Sequence, residues 1–333
     1  MYEAFFSLKR KAFSLTSDPG VLFLNNGSRE VLAGITYAIL ERKGLMVLTG
    51  EAGTGKSTLL ARVLRFLPAP KVQISSVMSP TLTTSEFLEM VLVDFGVGDI
   101  PESKTQRLLR LRELLAKNHE QGKTSVLVVD EAHKLSAKVL EEIRLLGNFE
   151  SPEQKFLQVL LAGQPELSDV LNREDMRQFK QRIAIRLRIE PLAESEVHLY
   201  IQSRWKEAGG REPLPFRPEA LALIAKCSKG IPRLINSLCD NALLLAFAEG
   251  SMHVTDQNVQ SAAEDLELAR PAALQLPVRI GSPSENSERP PEPLISPVAD
   301  IAPFRDLASN NGSGVKSWWI RWTGRLGLHS AEG

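Results

Sequence analysis

The stretch LTGEAGTGKSTLL, residues 48–60, constrains the fold more than any other part of the chain. It continues a short apolar run, Leu45 to Leu48, and opens into residues at helical spacing, so its glycines sit at a strand-to-helix junction. In Gly50-x-x-x-x-Gly55-Lys56-Ser57, the N–H groups of the loop and of the helix start can surround phosphate oxygens with no side chain in the way. A glycine turn that merely caps a helix would need neither the strand before it nor the Lys-Ser pair within it. The expected cradle is Gly50, Glu51, Ala52, Gly53, Thr54, Gly55, Lys56, Ser57 and Thr58.

The surrounding sequence has the rhythm that such a loop requires. Between residues 44 and 190 short apolar runs alternate with amphipathic segments, which predicts a parallel sheet covered by helices. Leu45 to Leu48, Val72 to Ile74, Val126 to Val129 and Phe156 to Leu161 are the expected strands, several of them continuously apolar as sheets buried on both faces demand. Ile183, Ile185, Leu187 and Ile189 alternate with polar residues, which suggests an edge strand. The segment from Ser103, an expected helix cap, carries Leu108, Leu111 and Leu115 at helical spacing. From 191 to 268 only helical patterns remain, so a small helical domain is expected there. Eight prolines between Pro271 and Pro303 mark 269–314 as a disordered linker, too poor in apolar surface to fold. The region 315–333 holds Trp318, Trp319 and Trp322, three of the four tryptophans, among Lys316 and Arg321. Such a tail suits a peripheral contact with an anionic membrane surface.

Global properties exclude more than they assign. Lys+Arg and Asp+Glu are both 40, so nothing draws the whole molecule toward nucleic acid or lipid. Cys227 and Cys239 lack metal-ligand spacing, which fits a reduced, cytoplasmic setting. The N-terminus has no apolar core of signal-peptide length, and no apolar run reaches 18 residues, so neither export nor a membrane span is expected.

A second chemical element lies at VLVVDEAHKL. Asp130 at a strand's end can hold Mg²⁺, and Glu131 beside it can polarise an attacking water. Lys56 would neutralise β/γ-phosphate charge while Ser57 offers its hydroxyl to the metal. The extra strand between the two motifs indicates the P-loop branch whose activating glutamate adjoins the magnesium aspartate. The DEAH string also resembles a helicase signature, with His133 as its added residue, but no second RecA-like domain or arginine-rich motif follows. Gln164, ending a strand in LLAGQPEL, is placed to orient water or sense the terminal phosphate. Arg233 in GIPRLIN could reach the nucleotide from the helical domain.

Taken together, FFSLKRKAFSLTSDPGVLFL, the phosphate loop, VLVVDEAHKLS, EEIRLLGNFE, LLAGQPEL, QRIAIRLRIEPL and GIPRLIN resemble the AAA+ ATPases of the general secretion pathway protein A (ExeA/GspA-like) family over residues 1 to about 265. The resemblance implies an α/β P-loop NTPase with an αβα core at 44–190, a helical lid at 191–268, and an N-terminal linker and first helix at 1–43. It implies an ATP hydrolase that uses Mg²⁺ and drives assembly or remodelling of a secretion or export machinery, in the cytoplasm or peripherally on the inner membrane. Gln164 would be the sensor-1 residue and Arg233 the sensor-2 arginine. Arg182 would be the finger reaching a neighbour's ATP in a homo-oligomer, a ring by preference, with Arg177 competing and local pairing to Glu174 or Asp175 as the plain alternative. The segment from Phe13 to Phe23 would pack near the adenine. Relatives commonly continue into a transmembrane helix and a peptidoglycan-binding domain, neither of which is read here, and Ser76 stands where they tend to carry Asn. The core also resembles TniB/MuB-type transposition ATPases, which assemble on DNA. Under that alternative Lys104, Arg107, Arg110 and Arg112 would face the phosphates, as filament binding requires rows of cations, with a solvated helix face as the plain alternative for all four.

Overall fold

Apolar strand residues sort by parity, and that parity builds three layers. In the computed structural model, which describes residues 2–15, 23–78 and 81–268, five strands form one parallel sheet in the order β2-β3-β4-β1-β5. They are β1 (Leu45–Gly50), β2 (Val72–Val77), β3 (Thr124–Val129), β4 (Leu157–Gly163) and β5 (Ile183–Ile189). Val47, Leu127, Val129, Val159 and Leu161 point to one face, where they meet Phe87, Leu88, Leu111, Leu115 and Ile143 from the covering helices. Met46, Leu48, Val126, Val128 and Leu160 point to the other, against Ile35, Ile39, Leu59 and Val63. Both faces of β1, β3 and β4 are therefore buried, which explains their unbroken apolar runs. β5 is an edge strand with alternating exposure, as its sequence pattern suggests.

The helices Glu194–Glu207, Pro218–Ser228, Pro232–Ala248 and Asp256–Asp265 follow β5 and enclose a core of their own around Ile201, Trp205, Ile224, Leu238 and Leu243. The N-terminal residues join this core. Tyr2, Phe6 and Phe13 are buried in it, Phe6 meets Trp205 edge-on at 6.1 Å, Phe13 meets Phe216 at 5.9 Å, and the Tyr2 hydroxyl donates to Asp240. The expected 1–43 segment thus divides: residues 2–13 pack with the helical domain, while Leu32, Ile35 and Ile39 of the Asn26–Leu40 helix pack on the sheet. All described residues belong to the unit Met1–Leu274. The linker expected at 269–314 and the tryptophan-bearing tail at 315–333 lie outside the described residues.

The helix Lys104–Glu120 corrects one expectation. Arg107, one of the four cations assigned to a phosphate-facing row, is buried: its Nε donates to the Pro101 carbonyl at 2.6 Å and its Nη1 to the Ser85 carbonyl at 2.8 Å. Glu89 pairs with it at 3.0 Å, and Lys104 is taken by the buried Glu142 at 2.6 Å. The helical repeat that carries Leu111 and Leu115 onto the sheet also turns Arg107 inward, one turn earlier. Ser103 holds the cap position, but its side chain makes no capping hydrogen bond. Arg107→Ala should cost about 1–3 kcal/mol of unfolding free energy, since it removes the hydrogen bonds that the buried guanidinium gives to the Pro101 and Ser85 carbonyls. The exposed Arg112→Ala should stay within about 0.5 kcal/mol. Equal urea midpoints for the two variants would contradict this assignment.

Candidate nucleotide site

The phosphate loop occupies the C-terminal edge of the sheet, where β1 passes into the helix Lys56–Phe66. Gly50 has no room for a side chain: a Cβ there would lie 2.7 Å from the Ile189 carbonyl of β5. Gly53 has φ +82°, and a Cβ would come within 2.7 Å of the Arg233 Cβ. Its carbonyl accepts from the Arg233 backbone N–H at 3.2 Å, so the loop and the first turn of the Pro232–Ala248 helix touch through backbone. Both conditions restrict that position to glycine.

Lys56 folds back on the loop that bears it. Its Nζ donates to the Gly50 carbonyl at 2.7 Å and to the Glu51 carbonyl at 2.9 Å. Burial holds its pKa below the usual lysine value, opposed by the nearby Glu131 and Asp130 carboxylates. The Ser57 hydroxyl donates to Asp130 Oδ2 at 2.6 Å, and Asp130 Oδ1 accepts the Glu131 N–H at 2.8 Å. Glu131 has a left-handed backbone, φ 53°, a conformation that costs a non-glycine residue about 1–2 kcal/mol. Its carboxylate lies 3.1 Å from Lys134 Nζ and 3.7 Å from His133 Nε2. His133 in turn meets Gln164, whose backbone N–H donates to Nδ1 at 3.3 Å and whose side-chain amide lies 3.2 Å from Nε2. Sheet order explains the meeting: β4 lies between β1 and β3, so Gln164 at its end falls between the loop and Glu131.

A cleft of about 280 Å³ gathers these groups. Ala52 to Thr58 line it together with Glu131, Gln164 and Arg233, whereas Gly50 and Glu51 stand outside its lining and turn their carbonyls to Lys56. Its other wall joins Leu15 and Phe23, from the segment expected near the adenine, to Tyr200, Arg204 and Asn236, which no motif announces. The Phe23 and Tyr200 rings meet edge-on at 5.7 Å, the Tyr200 hydroxyl donates to Asn236 at 2.9 Å, and Arg204 Nε donates to the Ala12 carbonyl at 2.9 Å. Of the expected adenine-side segment, Ser14, Leu15 and Phe23 reach the cleft, while Phe13 is consumed by the helical core.

Arg182 is not in this cleft. It borders a separate cavity of about 350 Å³, with Lys43, Lys155 and Arg144, at the starting edge of the strands. Leu45 pairs with Ile183 and Gly50 with Ile189, so the length of β5, about 20 Å, separates Arg182 from the phosphate loop. Asp175 pairs instead with Arg173 at 3.2 Å, and the Arg182 side chain makes no hydrogen bond or ion pair with the described residues, its backbone N–H alone donating to the Phe179 carbonyl at 3.0 Å. Arg177 is exposed on the short Arg177–Lys180 helix.

Residues 39–171 match the family model of an AAA domain. The chain is an AAA+ protein. It is 39% identical over 267 residues to general secretion pathway protein A of Aeromonas hydrophila, a match that covers 80% of this chain and 48% of that one. The resemblance to the GspA-like family is thereby borne out, and the chain spans about half the length of that relative. An uncharacterized HTH-type transcriptional regulator of Methanocaldococcus jannaschii is 27% identical over 251 residues, covering 72% of this chain and 60% of its own. In fold the AAA+ chain is similar to Cdc6p of Pyrobaculum aerophilum, with TM-score 0.60 at 18% identity, covering 76% and 70% of the two chains. It is likewise similar to the Aeropyrum pernix ORC2 protein, with TM-score 0.57 at 19% identity over 77% and 72%. These likenesses show the fold, and together with the AAA-domain match the architecture is that of an AAA+ P-loop NTPase core. Among the described residues no helix is long and apolar enough to cross a membrane.

Proposed function

We propose that the chain is a Mg²⁺-dependent ATP hydrolase whose nucleotide state assembles or remodels a secretion- or export-associated membrane machinery. The observation that carries this reading is the single cleft in which Lys56, Ser57, Glu131, Gln164 and Arg233 converge from four separate stretches of sequence. The Ser57–Asp130 pair supplies hard oxygen ligands of the kind magnesium accepts beside substrate phosphates, so the residues fit that metal. Ser57 and Asp130 would hold Mg²⁺ there, where the ion would supply positive charge against that of the phosphates. Lys56 would exchange its two loop carbonyls for phosphate oxygens, Glu131 would take the proton of the attacking water, and Gln164 would orient that water. Arg233, joined to Gly53 through backbone, would report the phosphate to the helical domain.

The secretion part of the reading is supported by the 39% identity to a protein named general secretion pathway protein A. Peripheral membrane contact through 315–333 and a cytoplasmic or inner-membrane location belong to the same reading. The alternative, a transposition-type ATPase that assembles on DNA, loses its best candidate surface because Arg107 and Lys104 are engaged within the fold. ATP turnover by the full chain with Mg²⁺, abolished in Lys56→Ala, tests the enzymatic half. Capture with Glu131→Gln in ATP tests the other half, since blocked water activation should hold the partner-bound state. Recovery of a membrane-assembly protein supports the proposal, and salt-sensitive recovery of DNA replaces it with the alternative.

A further inference from the structure

His133 stands between two groups that the proposed reaction uses and that no backbone element joins. It lies in the short turn Ala132–Lys134, with its side chain only 12% exposed. Its Nδ1 accepts from the Gln164 backbone N–H at 3.3 Å. A backbone N–H can only donate, so Nδ1 is unprotonated and the neutral ring carries its one proton on Nε2. That nitrogen is 3.2 Å from the Gln164 side-chain amide and 3.7 Å from Glu131 Oε2. A protonated Nε2 needs an acceptor, so the Gln164 amide oxygen is the atom that turns toward the ring. Both amide N–H donors of Gln164 are then left for an acceptor in the cleft that this residue lines.

From this geometry we infer that His133 is a positioning residue that couples Gln164 to Glu131. The ring meets the same glutamine at both nitrogens, through its backbone at Nδ1 and through its side-chain amide at Nε2, so the Nε2 contact alone follows the side chain. The remaining reach of its Nε2–H is the Glu131 carboxylate, which Lys134 holds at 3.1 Å in this state. An acceptor that draws the Gln164 amide into the cleft leaves the imidazole held by the Gln164 backbone N–H, frees its Nε2–H for the Glu131 carboxylate and so changes the hydrogen-bond partner of Glu131. No proton is transferred in this coupling: the imidazole remains neutral and the carboxylate remains available as a base. The DEAH string thus places its histidine to tie the end of β4 to the end of β3, a task that depends on neither a second RecA-like domain nor a nucleic acid.

The inference rests on the roles proposed for Glu131 and Gln164, and a double-mutant cycle separates its failure from theirs. The variants are His133→Ala, His133→Gln, Gln164→Ala and the double His133→Ala/Gln164→Ala, with Glu131→Gln as reference. Turnover, KM and binding of a fluorescent ATP analogue are measured on the full chain. His133→Ala should lower kcat about 10- to 100-fold, the scale of coupling between residues in contact, with KM and affinity unchanged. The double variant should lose no more than the worse single one. His133→Gln, whose amide can still donate, should recover part of the rate, and it carries the cycle if the alanine variant fails to fold. Multiplicative losses, or a fall in affinity that matches the fall in rate, would overturn the coupling while a Glu131→Gln defect left the base assignment standing. Wild-type turnover in Glu131→Gln would overturn both.

Discussion

Replacing Glu131 by glutamine should leave nucleotide binding in place and lower turnover about 10²- to 10⁴-fold, the range for a positioned general base. The substitution keeps the shape and the left-handed backbone of the residue and removes only the ability to take a proton. It also removes a charge that Lys56 feels, because Glu131 leads the carboxylates that oppose the burial-driven lowering of the lysine pKa. Affinity must therefore be measured beside rate. A drop in kcat alone identifies the base, whereas a parallel drop in ATP affinity would locate the effect at Lys56 instead. Asp130 provides the contrast, since it is buried and accepts hydrogen bonds from Ser57 and from the Glu131 N–H. Asp130→Asn should weaken magnesium-dependent binding first, and unchanged turnover in Glu131→Gln would remove that residue from the mechanism.

What could be read ahead of the structure was what local pattern encodes. β1, β3 and β4 are continuous apolar runs because helices cover both sheet faces, and β5 alternates because it lies at an edge. The phosphate loop is legible as a local motif as well, although the contacts that restrict its glycines are not local: Gly50 answers to Ile189 of β5 and Gly53 to Arg233 of the helical domain. Distance along the chain hid the rest. Nothing in the aromatic N-terminus shows that Phe6 will meet Trp205 or that Tyr2 will donate to Asp240. The far wall of the cleft depends on that packing, because Arg204 fastens the Ala12 carbonyl and thereby holds Ser14 and Leu15 beside the loop. Arg107 misled for a related reason: a cation on a helix face looks solvated until the carbonyls of Pro101 and Ser85 arrive from another turn and another helix. His133 carried a signal in the DEAH string, but its significance needed β4 to be placed beside β3, which no sequence period specifies.

Lys56→Ala and Arg182→Ala should each be nearly inactive alone, and mixing them should restore part of the ATPase activity. The geometry behind this expectation is the separation along β5. Arg182 precedes Ile183, which pairs with Leu45, while the phosphate loop begins beyond Gly50, so the guanidinium stands a strand's length from its own cleft. Its only route to a phosphate is therefore another subunit's, across a head-to-tail interface of the kind that closes into rings or extends as filaments. Its surroundings leave it available. Arg173 has taken Asp175, and Glu141, held below the usual carboxylate range by its hydrogen bond from Arg144, feels Arg182 only as a more distant charge. A guanidinium delivered to a neighbour's transferring phosphoryl group is worth about 10³- to 10⁵-fold in NTPases that use one. In the mixture, a subunit bearing Arg182→Ala keeps an intact cleft, and a Lys56→Ala neighbour supplies the arginine, so activity should return at that interface and nowhere else. Arg177→Ala, exposed on the preceding helix, serves as the competing donor in the same design. Recovery with Arg182→Ala but not with Arg177→Ala assigns the finger. Absence of recovery in demonstrated mixed assemblies would leave Arg182 with no part in hydrolysis, since its own cleft is out of reach.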